Sequence, residues 1–324
     1  MTDIVKRFAR ARVLVIGDLI ADEYVYGRVA RVSREAPVLI LEHDSTEVVP
    51  GGAGNAAANV AALGAEVRLV SLAGRDEPGR RLQRAFSRRV DRRGLVRPAV
   101  PHPRQDTHPR RRHPFGQAAG GPHRSPEHPR GHRRRPSGSR ARRRGGGRPR
   151  RCRADLRLRF RAGHPCAGAR GGARGRPPGA GAHRLRYALT RYRGLTACAP
   201  NESEVEEALG VRIDDDPRVL ERAGRQLLDD TRMKAVVVTR GSRGMAVFQP
   251  GTPTVHIPIF GSDQIADVTG AGDTVMAALT LGLAAGAGIE ASARLANVAG
   301  GLVVMKRGTA TVSAAELMDA LTRA

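Results

Sequence analysis

The pattern of apolar and polar positions divides the chain into two ordered flanks and a middle that lacks strand periodicity. Residues 12–17, RVLVIG, form a short apolar run closed by glycine, the pattern of a buried parallel strand. Asp18 follows at the strand's C-terminal end, where open α/β sheets place their ligand sites. Glu23–Val29 and Pro37–His43 alternate in polarity and predict two half-exposed strands. Residues 50–65, PGGAGNAAANVAALGA, predict a glycine-rich turn running into an alanine-rich helix. The glycines let a ligand approach the backbone, and the helix start offers N–H donors. A strand over Val67–Ser71 and the turn AGRDEPGRRL complete this flank.

The C-terminal flank begins near Arg191. Ala199-Pro-Asn-Glu-Ser-Glu204 leads into an acidic helix, and Arg218–Asp229 predicts another. Lys234–Thr239 is a buried strand, followed by the turn Arg240–Gly244. ADVTGAGDTV (266–275) then opens a long apolar helix over Thr274–Ala285. Gly270, Ala271 and Gly272 present successive backbone N–H groups at its start, an anion hole by construction. An acid beside such a hole repels an anionic ligand, so Asp273 needs a task. Accepting a proton from a hydroxyl that attacks phosphorus is one that fits.

Composition changes the picture only in the middle. The net charge of +25 arises from 56 basic and 31 acidic residues. Of these, 26 arginines and only 3 acids fall within 97–190, with 15 Gly, 13 Pro and 8 of the 10 His. Such a stretch has too little apolar surface to offset its ordering entropy and is expected to be disordered. Three readings compete for it. A nucleic-acid-binding arm follows from the arginines, but aromatic residues for base stacking are scarce. A solvated linker would be long. Out-of-frame translation of a GC-rich gene yields this mixture of Arg, Gly, Pro, Ala and His.

No run of apolar residues is long enough to cross a membrane, the N-terminus carries no secretory pattern, and Cys152, Cys166 and Cys198 lack metal-ligand spacing. A cytoplasmic protein is the expectation.

DVTGAGDTV resembles the second signature of the PfkB (ribokinase-like) carbohydrate kinases, and GGAGNAAANVAALGA resembles the first. GDLIADEYVYGRVARVSREAPV and KRGTATVSAAEL resemble, within that family, the D-glycero-β-D-manno-heptose 7-phosphate kinases, the kinase half of HldE-type ADP-heptose synthases. Arg34 departs from the proline that subfamily carries. The resemblance implies one kinase domain over 1–324: an α/β fold with a mostly parallel sheet flanked by helices, and a small β lid. It implies ATP and Mg²⁺, a sugar-phosphate substrate phosphorylated at O1, a homodimer, and no membrane or nucleic-acid partner.

Carried over by residue, Asp273 would be the general base, with Gly270, Ala271 and Gly272 holding the transferred phosphoryl group. Asp18, Gly51, Gly52 and Asn55 would bind sugar hydroxyls. Asn201 and Glu204 fit an N-x-x-E motif that influences Mg²⁺ and phosphate. Thr239, Gly241 and Gly244 match the nucleotide-side turn, and Asn297 lies on a helix flanking adenine. The alternatives are another sugar kinase, such as a ribokinase or fructokinase, and a nucleic-acid-binding protein acting through the arginine-rich stretch.

The resemblance also favours the out-of-frame reading of 97–190. Shifted one base forward, Arg153–Arg161 is compatible with VLISDYASG, and Gln117-Ala118 encodes only Lys or Arg; the original frame returns near Arg191-Tyr-Arg-Gly194. The literal chain is therefore expected to lack interior strands, to fold poorly and to show little kinase activity.

Overall fold

The computed structural model describes residues 1–33, 38–96, 104–111, 156–161, 182–185, 189–261 and 267–323. Arg34, Cys152, Cys166 and most of the arginine-rich stretch lie outside the described residues.

After a short helix α1 (Thr2–Arg7), strand β1 (Arg12–Ile16) starts the central sheet. The chain then crosses to a long hairpin, β2 (Leu19–Val32) and β3 (Leu39–Gly52), and returns through helix α2 (Ala53–Ala62) to β4 (Glu66–Leu72), α3 (Glu77–Ala85) and β5 (Val90–Val96). Three strands follow within the arginine-rich stretch: β6 (Arg104–Arg111), β7 (Leu156–Arg161) and β8 (Ala182–Leu185). The C-terminal flank adds β9 (Ala197–Cys198), α4 (Glu202–Leu209), α5 (Pro217–Thr231), β10 (Ala235–Thr239), β11 (Met245–Phe248) and β12 (Val255–Ile257). Three helices close the fold: α6 (Ala271–Ala284), α7 (Ile289–Val304) and α8 (Ala314–Arg323).

Nine strands form one sheet in the order β12-β11-β10-β9-β8-β7-β1-β4-β5. Neighbours from β9 to β5 run parallel, as does the β9–β10 pair, whereas β10–β11 and β11–β12 are antiparallel. The fold is α/β with a mostly parallel sheet flanked by helices. The lid is a separate sheet of order β3-β2-β6, with β2 and β3 antiparallel.

Strand β10 shows why the sheet needs both layers. Val237 packs into the core shared with α2, α6 and α7, whereas Val236 and Val238 point to a second core with Leu220, Leu227 and Leu228 of α5. A continuous apolar run is what a strand covered on both faces requires. Helix α5 starts one residue earlier than its pattern predicts, at Pro217, because Asp216 caps it through Arg218 N–H at 2.8 Å. The long helix α6 likewise begins at Ala271, inside the glycine turn, since Gly270 takes the left-handed conformation there.

Two expectations are corrected. The lid strands run to Leu19 and Gly52, beyond the alternating stretches, because continuous antiparallel pairing carries them to the sheet edge. The arginine-rich stretch was expected to supply no strands, yet it contributes three. In β7 the sequence LRLRFR alternates Leu and Phe with Arg, a local period of two that the averaged composition conceals.

Candidate active site

The sequence-predicted residues gather along one edge of the sheet, the C-terminal ends of its parallel strands. Gly17 and Asp18 follow β1, Asn201 follows β9, and Thr239 ends β10. They fall into two clusters, one where α2 and α6 begin and one around the ends of β9 and β10.

The first cluster forms where α2 and α6 begin. Gly52 caps α2 with φ +56°, and Ala53 N–H donates to Asp18 O at 2.9 Å. A Cβ on Gly52 would lie 2.8 Å from that same carbonyl, so glycine is required for strand end and helix start to meet. Asn55, the third residue of α2, donates from Nδ2 to Asp273 Oδ2 at 2.9 Å and to Gly270 O at 3.4 Å. Gly270 has φ +77°, and a Cβ there would fall 2.5 Å from Asn55 Nδ2. The two glycine motifs thus interlock, although 218 positions separate Asn55 from Asp273.

The anion hole is narrower than the sequence suggests. Ala271 N–H donates to Val268 O at 3.2 Å, and Asp273 N–H to Gly270 O at 2.9 Å. Among the described residues, Gly270 N–H and Gly272 N–H make no turn or cap bond, which leaves these two amides for an incoming oxyanion.

Three site residues were missed by reading the sequence. Asp22 on β2 has its carboxyl group against Gly51, in the space that a Cβ there would take. Burial, reinforced by the negative charge of Asp273, pushes the Asp22 carboxyl up to about 6. Tyr24, buried on the same strand, shares a 2.5 Å hydrogen bond with Thr309, whose methyl group faces Gly270. Asn59 is fully buried behind Asn55. Period two from Asp18 marks Asp22 and Tyr24 as one face of a strand ending at the site, and that was the available signal. Asn59, one helical turn after Asn55, was equally open to a period-3.6 argument.

The segment 306–312 forms a wall of this cluster. Asp267 accepts from Thr269 N–H at 2.9 Å and from Gly308 N–H at 3.0 Å, so the anion loop and the KRGTAT segment are held by one carboxylate. Lys306 in turn donates to Thr311 O at 2.8 Å and to Glu316 at 2.5 Å.

In the second cluster, the N-x-x-E motif is a capping box. Asn201 accepts from Glu204 N–H at 2.7 Å, and Glu204 Oε2 accepts from Asn201 N–H at 2.9 Å. Glu204 is 7% exposed, so one oxygen of its carboxylate serves the helix start. Thr239 bridges to Asn201 and donates its N–H to Pro200 O at 2.9 Å. Gly241 and Gly244 hold positive φ in the following turn, which Arg240 ties to Glu202 at 2.8 Å. Asn297 on α7 donates to Pro258 O at 2.7 Å, so its amide anchors the chain leaving β12. The Cys198 thiol is buried and pushed up to about 12 by that burial, which makes it a core side chain rather than a nucleophile.

The arrangement pairs a carboxylate with backbone amides at a helix start, a geometry suited to moving a proton off a hydroxyl while an anionic group is held. No helix among the described residues is long and apolar enough to cross a membrane.

Residues 182–316 match the family model described as pfkB family carbohydrate kinase. The bifunctional protein HldE of Geobacter metallireducens is 39% identical over 325 residues, and that of Klebsiella pneumoniae subsp. pneumoniae is 36% identical over 333. Each alignment takes in 97% of the chain and 64% of the relative, so the chain spans less than two thirds of those proteins. Among solved structures, Escherichia coli phosphofructokinase-2 in complex with substrates and products superposes with a TM-score of 0.66 at 15% identity, covering 97% of this chain and 99% of that one. Arabidopsis thaliana ribokinase complexed with ribose and ATP gives 0.62 at 17% identity, covering 96% and 98%. Both show the fold.

Proposed function

We propose that the chain is a carbohydrate kinase of the pfkB family, on the match over residues 182–316 and the similarity to the HldE relatives, and that it phosphorylates D-glycero-β-D-manno-heptose 7-phosphate at O1 with ATP, a step toward ADP-heptose. The observation that carries the chemistry is the Asn55–Asp273 contact at the start of α6. Asp273 takes the proton of the attacking hydroxyl, whose oxygen bonds to the γ-phosphorus as the bond to the ADP oxygen breaks. Gly272 N–H and the start of α6 meet the charge on the transferred group. Asp18, Asp22 and the Gly51–Gly52 backbone line the sugar side.

The residues fit ATP and Mg²⁺ in a specific sense. A Cβ on Gly270 would meet Asn55 Nδ2, and the N–H groups at the start of α6 are the donors that would face a phosphate. Among the described residues, no three acidic, His or Cys side chains cluster as a metal cage. Mg²⁺ would thus be held mainly by phosphate oxygens and water, with Glu204 acting at a distance. The metal supplies charge neutralisation on the phosphates.

The test is Asp273→Asn, with sugar-dependent ADP release measured over a panel of sugars. Loss of turnover of roughly 1,000-fold or more is expected, with nucleotide binding retained. Heptose 7-phosphate should be the best acceptor; preference for ribose or fructose would favour the sugar-kinase alternative. The similarity to HldE relatives supports the heptose substrate.

A homodimer joined through the lid is our reading of Val29, Val32, Val38 and Leu39, exposed by 37–58% on that hairpin. Sedimentation of the full chain checks it. We place the protein in the cytoplasm, where ATP is supplied.

Residues 97–190 we read as out of frame within a single kinase domain. Strand β7 pairs with β1 on one side and β8 on the other, an interior place that β10 fills with AVVVT. Arginine at every second position is foreign to such a strand. The nucleotide sequence across codons 90–195 decides it, and restoring the frame should raise both melting temperature and turnover.

A further inference from the structure

Two helices meet behind the candidate base, and the polar groups between them are matched end to end. Asn59 on α2 and Thr274 on α6 are both fully buried. Asn59 Nδ2 donates to the main-chain oxygen and to Oδ1 of Asn55, each at 3.0 Å. Its Oδ1 accepts the Thr274 hydroxyl at 2.9 Å. A side-chain amide has one accepting and one donating end. Turning Asn59 over would set its oxygen against two other oxygens. The same constraint passes to Asn55: with Oδ1 held by Asn59, its Nδ2 must face Asp273.

We propose that Asn59, held by Thr274, is a positioning residue for phosphoryl transfer, fixing which end of the Asn55 amide meets the Asp273 carboxylate. The inference rests on the reading of Asp273 as the base. An N–H donor favours the ionised, proton-accepting carboxylate, whereas a carbonyl oxygen in its place favours the protonated one. The orientation of one buried amide therefore decides whether the base is available.

The elements that meet near the start of α6 carry the following charged groups. Helix α2 carries no ionisable side chain. Strand β2 contributes Asp22, whose charge and that of Asp273 repel. The loop before α6 contributes Asp267, bonded to Thr269 and Gly308 N–H. The 306–312 wall contributes Lys306, bonded to Thr311 O and Glu316, together with Arg307.

The experiment compares Asn59→Leu, Asn59→Asp, Thr274→Val and Thr274→Ser by kcat, KM and pH profile, in the full chain and in its frame-restored counterpart. Once ionised, the carboxyl that Asn59→Asp introduces cannot donate, so it draws the NH₂ of Asn55 toward itself and turns the carbonyl onto Asp273. Turnover is expected to fall roughly 10-fold for Asn59→Leu and Thr274→Val and roughly 100-fold for Asn59→Asp, with Thr274→Ser within about twofold of the parent. In the three impaired variants the acid limb of the kcat profile moves about one pH step of 1.0 upward, while KM for ATP holds. A loss of amplitude with an unmoved limb marks packing damage alone and overturns the inference. If Asn59→Asp does not fold, the Thr274 pair decides: Val and Ser behaving alike overturns it. Asp273→Asn runs in parallel. Turnover surviving there removes the base itself, whereas turnover lost there with unmoved limbs elsewhere removes only the role of Asn59.

Discussion

Replacing Asp22 with Asn should make the protein more stable at neutral pH and a poorer enzyme. The Asp22 carboxyl is raised from 3.8 to about 6, first by burial and then by the charge of Asp273. A raised acid gives up its proton more readily in the unfolded chain than in the folded one. Its ionisation therefore costs stability as pH climbs from about 3.8 to about 6, and the cost is complete above that window. A tenfold change in proton affinity between the two states corresponds to about 1.4 kcal/mol. The group is only partly buried, and screening by water reduces the effect to about 1–2 kcal/mol at pH 8. For a domain of this size that amounts to a melting temperature roughly 2–6 °C higher for Asp22→Asn. Melts of parent and variant at closely spaced pH values from about 4 to about 8 measure it, bracketing the window over which the carboxyl ionises. The difference should open as pH rises toward 6 and stay constant above. A constant difference across the whole range, or a less stable variant at the alkaline end, refutes the account. The gain accompanies a loss of sugar affinity, since a carboxylate kept in an unfavourable place is one that a ligand's hydroxyls are expected to satisfy.

Gly270→Ala combines a positive φ with a Cβ 2.5 Å from Asn55 Nδ2; displacing that amide should lower kcat/KM by roughly 100-fold, read in the ADP-release assay. Asn201→Ala removes the helix cap on Glu204 N–H and should cost about 1 kcal/mol, seen as a lower melting temperature. Glu204→Gln keeps the acceptor for Asn201 N–H and should melt like the parent, so any change in its Mg²⁺ dependence reports the charge alone. Tyr24→Phe breaks the bond to Thr309 and should cost about 1 kcal/mol, with kcat falling more than KM rises because the 306–312 wall stands against Gly270.

The flanks were legible because their signals are local. A run such as VLVI or AVVV can satisfy its neighbours only as a strand covered on both faces, and the residues themselves state it. The turn at 268–272 is equally local: a left-handed position that glycine fills, followed by an acid at a helix start. The capping box at Asn201 and Glu204 shows the limit of such reading. The N-x-x-E pattern, to which the family resemblance attaches an influence on Mg²⁺ and phosphate, is also the spacing that closes a helix N-terminus, and the spacing alone does not separate the two. In the middle third, composition pointed to disorder while a six-residue alternation at 156–161 pointed to a strand. Averaging over the whole arginine-rich stretch hid it.

The sequence by itself determined the two glycine turns, the helices they open and the acid in the first turn of α6, because turn chemistry and hydrophobic period depend on residues a few positions apart. Only the tertiary structure decided that Asn55 meets Asp273, that Thr274 meets Asn59 and that Tyr24 meets Thr309. Those partners are 215 to 285 positions apart where their bonds cross between elements. Which donor meets which acceptor at that distance follows from how the lid and the two helices pack, and no local period encodes it.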